Sequence, residues 1–301
     1  MVSISTRLVA VFCVMAAAHA RDLSGLRTAS PAMPMPPLPH PPPPPIVPAE
    51  VPPHPQAELR EQIRARFDAL LRGDLDASVE PELLADKVCE GVPAGELSAD
   101  QIAELMAETA AYQSSYHPDF GKLAARVAVA RLHERTDPSL LHAMRAMHAH
   151  THNGEAAPLV SADMLERAEA HAEQLEAALR HDLDYNYDYF GLRTLQRSYL
   201  HRDASGAPIE RPQHMLMRVA LCVHATDLSA VLQAYDLMSR GLYTHATPTL
   251  FNAGSPRQQL CSCFLLTTQS DSISGIFDTL RQVCHLSTPI YRPSMASDPC
   301  L

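Results

Sequence analysis

From Pro31 to Gln56 roughly half of the residues are proline, and five stand in succession at Pro41–Pro45. Each ring fixes φ near about −65° and removes an amide donor, so this segment adopts polyproline II and joins neither a helix interior nor a sheet. A packed core can therefore begin only beyond it. The tract (residues 21–57) reads as a stiff, disordered spacer, and the same composition also suits a ligand for an SH3- or WW-like module. Before it, residues 1–20 carry Arg7, an apolar run from Leu8 to Ala18, and an Ala18-His19-Ala20 step that fits small-residue signal cleavage. The run is too short to span a bilayer. A secretory leader competes here with an organelle-targeting leader or a misassigned start.

The 301 residues have room for about two domains, on a prior of roughly 150 residues each, and not for a large barrel as well. The net charge of −10, with 34 acidic against 24 basic side chains, argues against bulk binding to nucleic acid or an anionic membrane. A nucleotide pocket built from local groups is compatible with it. Seven cysteines (13, 89, 222, 261, 263, 284 and 300) form no CxxC pair, which disfavours a disulfide framework or structural zinc and leaves chemistry by individual thiols. Of the 16 histidines, His148 and His152 align at i and i+4 on a helical reading. No third ligand is placed beside them, so they read as a solvated helix end and no metal is expected.

Beyond residue 58 the pattern is helical. Leu59, Ile63, Phe67 and Leu70 recur at helical spacing before Gly73, and Pro81 opens a helix with Leu83, Leu84 and Val88 on one face. Ser98 and Gln101 make a capping box ahead of Ile102, Leu105 and Met106. Phe120–Leu132, Leu140–Met147 and Met164–Leu179 continue as helices, and Tyr185, Tyr187, Tyr189 and Phe190 read as an aromatic cluster closing a small core. Thr194–Leu200 and Ala207–Glu210 flank Asp203–Gly206 as a hairpin candidate. A helix opened by Pro212 buries Met215, Leu216, Val219, Ala220 and Val223; the next, capped by Asp227 and ended at Gly241, turns Leu228, Val231, Leu232 and Tyr235 inward.

Then comes THATPTLFNAG (Thr244–Gly254), a loop whose Thr244, Thr247 and Thr249 offer hydroxyls to phosphate or sugar oxygens. Pro248, Asn252, Gly254 and Pro256 are expected to keep it from continuing as helix or strand. Cys261-Ser262-Cys263 leads into Phe264-Leu265-Leu266, read as a short buried strand. Cysteines two apart on a strand share a face but stand about 6.6–6.8 Å apart along it, too far for the ~4 Å Cβ separation of a disulfide, so Cys261 and Cys263 are poor disulfide partners for each other.

The segments Ala107–His133, Tyr187–Leu200, Glu210–His224, THATPTLFNAG, CSCFLL (Cys261–Leu266) and Asp271–Gln282 resemble, in this order and spacing, the eukaryotic class I ribonucleoside-diphosphate reductase large subunit. The resemblance runs from about residue 58 to 287. It implies a mainly α fold: a degenerate ATP-cone-like helical region (58–140), a helical N-terminal reductase domain (141–243), and the first strand and helix of a ten-stranded α/β barrel (244–287), here truncated, with a divergent tail (288–301).

By that resemblance Cys263 is one of the reducing cysteine pair, Thr247 and Ser262 contact the substrate diphosphate and sugar, and Asp271, Ser272 and Ile273 begin the specificity-effector site. The helix at Ile276–Gln282 makes the homodimer. Implied partners are ribonucleoside diphosphates, ATP or dNTP effectors, a di-iron small subunit as radical source, and thioredoxin or glutaredoxin as reductant. No directly bound cofactor, nucleic acid or membrane is implied, and the cytoplasm is the expected compartment. Three departures stand out. Ala103 occupies the place of an aspartate tied to dATP inhibition, Cys261 stands where serine is usual, and Thr288–Pro293 replaces a lysine and glycine-rich loop. The absent barrel cysteines predict a chain inactive by itself. The alternative is a non-catalytic helical binding or regulatory protein.

Overall fold

The computed structural model describes residues 9–13, 55–71, 73–92, 97–268 and 270–291. The expected signal-cleavage step, most of the proline-rich spacer, and the tail beyond Tyr291 lie outside them. Helices dominate. The first group is α1 (Pro55–Leu71), α2 (Pro81–Gly91), α3 (Ala99–Tyr112) and α4 (Asp119–Arg135). Ile63 and Phe67 of α1 pack with Leu84 and Val88 of α2, Met106 and Ala110 of α3, and Leu123 and Val127 of α4. The anticipated punctuation is in place: Gly73 has φ +72° after α1, and Ser98 and Gln101 cap α3 reciprocally, Ser98 Oγ accepting from Gln101 N and Gln101 Oε1 from Ser98 N. Leu83 is 45% exposed, so the buried face of α2 is narrower than its sequence implies.

α4 is the central element. Alanines at 124, 125 and 128 let neighbours approach closely, and every residue from Leu123 to Val129 is buried, Arg126 included. Its Leu123–Val129 segment belongs to the first core and Leu132 to the second. That second core gathers α5 (Leu140–His148), α6 (Ala162–Ala170), α7 (Ala172–Ala178), α9 (Pro212–His224), α10 (Leu228–Ser239) and α11 (Thr247–Asn252). α8 (Tyr189–Thr194) returns Tyr189 and Leu192 to the first core.

Several local expectations are corrected. Met164–Leu179 is two helices, broken at His171, where φ is −122°. His152 lies on a two-residue strand, β2 (Thr151–His152), paired with β3 (Glu155–Ala156), and is therefore not on one helix face with His148. The candidate hairpin has its turn, with Gly206 at φ +86° and Asp203 N donating to Ala207 O, but only one bridge, Arg202 to Pro208. Its first arm is a π-helical turn over Leu195–Tyr199 that continues α8. In the aromatic cluster Tyr189 is buried while Phe190 is 73% exposed, and Val223 of α9 also faces outward.

The strand β4 (Cys263–Thr267) runs antiparallel to β1 (Val9–Cys13), and α12 (Ile273–Tyr291) follows it. β4 alternates exposed and half-buried residues, so it is not the buried strand its apolar run suggests. Phe264 and Leu266 turn inward while Cys263 and Leu265 face out, the period-two pattern of a sheet covered on one side. Among the described residues, no helix is long and apolar enough to cross a membrane.

Candidate functional site

The Thr244–Gly254 segment is not a loop throughout. Thr247–Asn252 forms α11, because Pro248 occupies the first turn, where the missing amide has no helical partner to lose. The C-terminal end of this helix is held from below by Arg218 of α9. Its Nη1 donates to Ala253 O at 2.7 Å and its Nη2 to Leu250 O at 3.1 Å, placing a cation where the helix dipole is negative. Glu210 clamps the guanidinium with two bonds of 2.9 and 3.0 Å, and neither side chain has any exposed surface. Burial pushes the Glu210 carboxyl up, and Arg218 together with His201 outweighs this, so the group lies below the usual carboxylate range.

Two polar side chains carry that rigidity forward to the cysteines. Thr249 Oγ1 donates to Leu260 O at 3.1 Å, and Asn252 Nδ2 donates to Gln259 O at 3.0 Å. The residues just before Cys261 are thereby pinned to α11. Gly254, at φ +82°, turns the chain tightly enough for its carbonyl to accept from Ser161 N at 2.8 Å. A Cβ there would lie 2.9 Å from Met164 Cγ, so only glycine fits without a shift.

The predicted site residues fall in three places. Thr247 is half-buried, its hydroxyl 3.0 Å from Tyr199 Oη, and the Tyr199 ring packs on Phe251 with centroids 4.7 Å apart. Ser262 lies beside Cys263, Oγ to Sγ 3.7 Å, and Cys263 is exposed at the head of β4. Asp271, Ser272 and Ile273 are all exposed at the start of α12, where Ser272 Oγ accepts from Gly275 N at 3.1 Å. The thiols differ in setting: burial pushes Cys89 and Cys222 up, away from the reactive thiolate.

A cleft of about 430 Å³ opens beside Thr247's partners, lined by Tyr199, Phe251, His150, His152, Arg197 and Arg202 among others. The exposed apolar residues Ile273, Ile276, Phe277 and Leu280 recur along α12 at helical spacing, a stripe without cover among the described residues. Sequence reasoning missed the buried polar groups: the Arg218–Glu210 pair, and His133 bonded to Asp184 at 2.7 Å. α9 is buried on every side from Pro212 to Leu221, so apolar periodicity gives no sign that Arg218 points inward.

Residues 185–258 match the ribonucleotide reductase all-alpha domain. The ribonucleoside-diphosphate reductase large subunit of Arabidopsis thaliana is 45% identical over 229 residues, 75% of this chain and 28% of that protein. Its counterpart in Dictyostelium discoideum is 46% identical over 211 residues, covering 69% of this chain and 24% of the relative. That of Trypanosoma brucei brucei is 44% identical over 231 residues, covering 75% and 27%. The chain thus spans about a quarter of the length of these relatives.

Proposed function

We propose a function for a chain that is a homologue of the eukaryotic ribonucleoside-diphosphate reductase large subunit and carries that family's all-alpha domain: it supplies one wall of a site that reduces ribonucleoside diphosphates to deoxyribonucleoside diphosphates. In this reading the 2′-hydroxyl leaves as water and a hydrogen takes its place. Two thiols are oxidised to a disulfide in the exchange, giving up two electrons and two protons. Cys263 is one of these thiols, and a cysteine elsewhere in the fold is the other. Thr247 and Ser262 hold the diphosphate and the sugar, and the nucleotide effector is read at Asp271, Ser272 and Ile273.

The observation that carries this reading is the placement of Cys263. It is exposed, next to a hydroxyl, on a strand whose approach is fixed to α11 by Thr249 and Asn252. Such a fixed thiol needs little reorganisation to meet a substrate carbon. The remaining roles follow the family: a small subunit with a di-iron centre supplies the radical, thioredoxin or glutaredoxin restores the thiols, and the protein works in the cytoplasm. Copies pair through the apolar stripe of α12. A second reading, a non-catalytic partner protein, draws on the same stripe, which would serve binding without chemistry.

Titration of the chain with a ribonucleoside diphosphate, followed by calorimetry, tests the substrate wall. Thr247→Val and Ser262→Ala are each expected to weaken binding about tenfold, the loss of one hydrogen bond to the nucleotide. Equal affinity in both variants and the wild type contradicts the assignment.

A further inference from the structure

We propose that His133, His181 and Asp184 form a site for a divalent transition-metal cation of the zinc class. Each offers one ligand atom, and these atoms lie within 4.8 Å of one another. Local structure explains the convergence. His181–Asn186 is a 3₁₀ turn, whose three-residue period stacks positions i and i+3, so His181 and Asp184 share one side. The last turn of α4 brings His133 up to them.

His181 supplies the decisive detail. Its Nε2 lies 2.9 Å from Pro138 O, and a carbonyl only accepts, so Nε2 carries the proton and Nδ1 is left as a bare lone pair. That Nδ1 is buried and has no hydrogen-bond partner. An imidazole that donates one ring nitrogen to a backbone carbonyl and presents the other unprotonated is in the state a metal ligand requires.

Asp184 is prepared from behind. It has no exposed surface; its Oδ1 accepts from Gln213 Nε2 at 2.9 Å, Gln213 Oε1 accepts from Tyr235 Oη at 2.7 Å, and Tyr235 Oη accepts from Arg180 N at 2.9 Å. This chain fixes the carboxylate, as outer partners fix metal ligands. Its other oxygen faces His133 Nε2 at 2.7 Å. The cation enters between His133 Nε2 and Asp184 Oδ2, and the His133 ring proton moves to Nδ1, so the ligating imidazole stays neutral. Two imidazoles and a carboxylate suit Zn²⁺ with water as fourth ligand; bonds of about 2.0–2.1 Å place tetrahedral ligand atoms roughly 3.3 Å apart. A purely structural His133–Asp184 bond accounts for two of the three groups and leaves the buried lone pair of His181 unexplained.

The purified 301-residue chain, stripped with a chelator and titrated with Co²⁺ and then Zn²⁺, tests the site. One tightly bound equivalent with the intense visible bands of tetrahedral Co²⁺, displaced by Zn²⁺, is expected. His181→Gln is expected to weaken binding about 100-fold or more, and a His148→Gln/His152→Gln variant to leave it unchanged. A pale octahedral spectrum, or equal affinity in a folded His181→Gln protein, overturns the proposal. Should that variant not fold, ¹⁵N spectra of the wild-type histidines decide: a Zn²⁺-induced shift at His181 Nδ1 supports the site, and its absence overturns it.

Discussion

Arg218, Glu210, His214 and Gly254 show how much of this structure depends on single residues. The Arg218–Glu210 pair has been taken wholly out of water, so losing one partner strands the other. Arg218→Met is expected to destabilise the chain by about 3–5 kcal/mol in urea unfolding, and Arg218→Met with Glu210→Leu by clearly less than the sum of the single changes. His214 is fully buried with both nitrogens committed, Nε2 donating to Pro138 O and Nδ1 accepting from Arg211 N. Burial, with nearby His181, lowers its pKa to about 4 from 6.5. Between those values the unfolded chain binds the proton and the folded chain does not, so stability is full above about pH 6.5 and falls as pH drops towards 4. The loss reaches about 3 kcal/mol at most for this group, and His214→Gln is expected to flatten the slope of unfolding free energy in that window. Gly254→Ala, combining a positive φ with the contact at Met164, is expected to cost about 1–3 kcal/mol; an unchanged thermal midpoint would refute the strain.

At the scale of elements, helices were legible where chemistry is local. Capping by Ser98 and Asp227, the opening prolines at 81 and 212, and the terminating glycines at 73 and 241 act through bonds within a few residues, and each sits where the sequence puts it. α11 was misjudged because Pro248 signals both a break and a helix start, and the difference rests on Arg218, 30 positions earlier in the chain, holding the far end. The same limit hid His133 and Asp184, which meet only after α4 and the turn at His181 pack together. In the candidate site, Cys263 was legible as a residue but its exposure on a half-covered strand was not, and the clamp from Thr249 and Asn252 onto residues 259 and 260 could not be read from spacing. α12 carries its own prediction. If Ile276 and Phe277 seat a second copy, Ile276→Asp/Phe277→Asp shifts the chain to monomer in light scattering, and an identical mass in variant and wild type contradicts pairing there.

At the scale of the whole molecule, two apolar cores share α4, and the second supports α11, from which the approach to Cys263 is held. That order gives a rigid helical base and an exposed thiol at its edge. The central proposal is that this edge supplies one wall of a site for ribonucleoside-diphosphate reduction. Because the chain spans only 28% of a plant relative with which it shares 45% identity, the most direct measurement grafts residues 58–287 in place of the matching segment of such a full-length subunit. Deoxyribonucleoside diphosphate formation is then followed with a small subunit and a dithiol. The account predicts turnover by the chimera and a loss of about 1,000-fold or more on Cys263→Ser, on the order of the ~4 kcal/mol that an essential group contributes. A folded chimera whose turnover survives Cys263→Ser would contradict it.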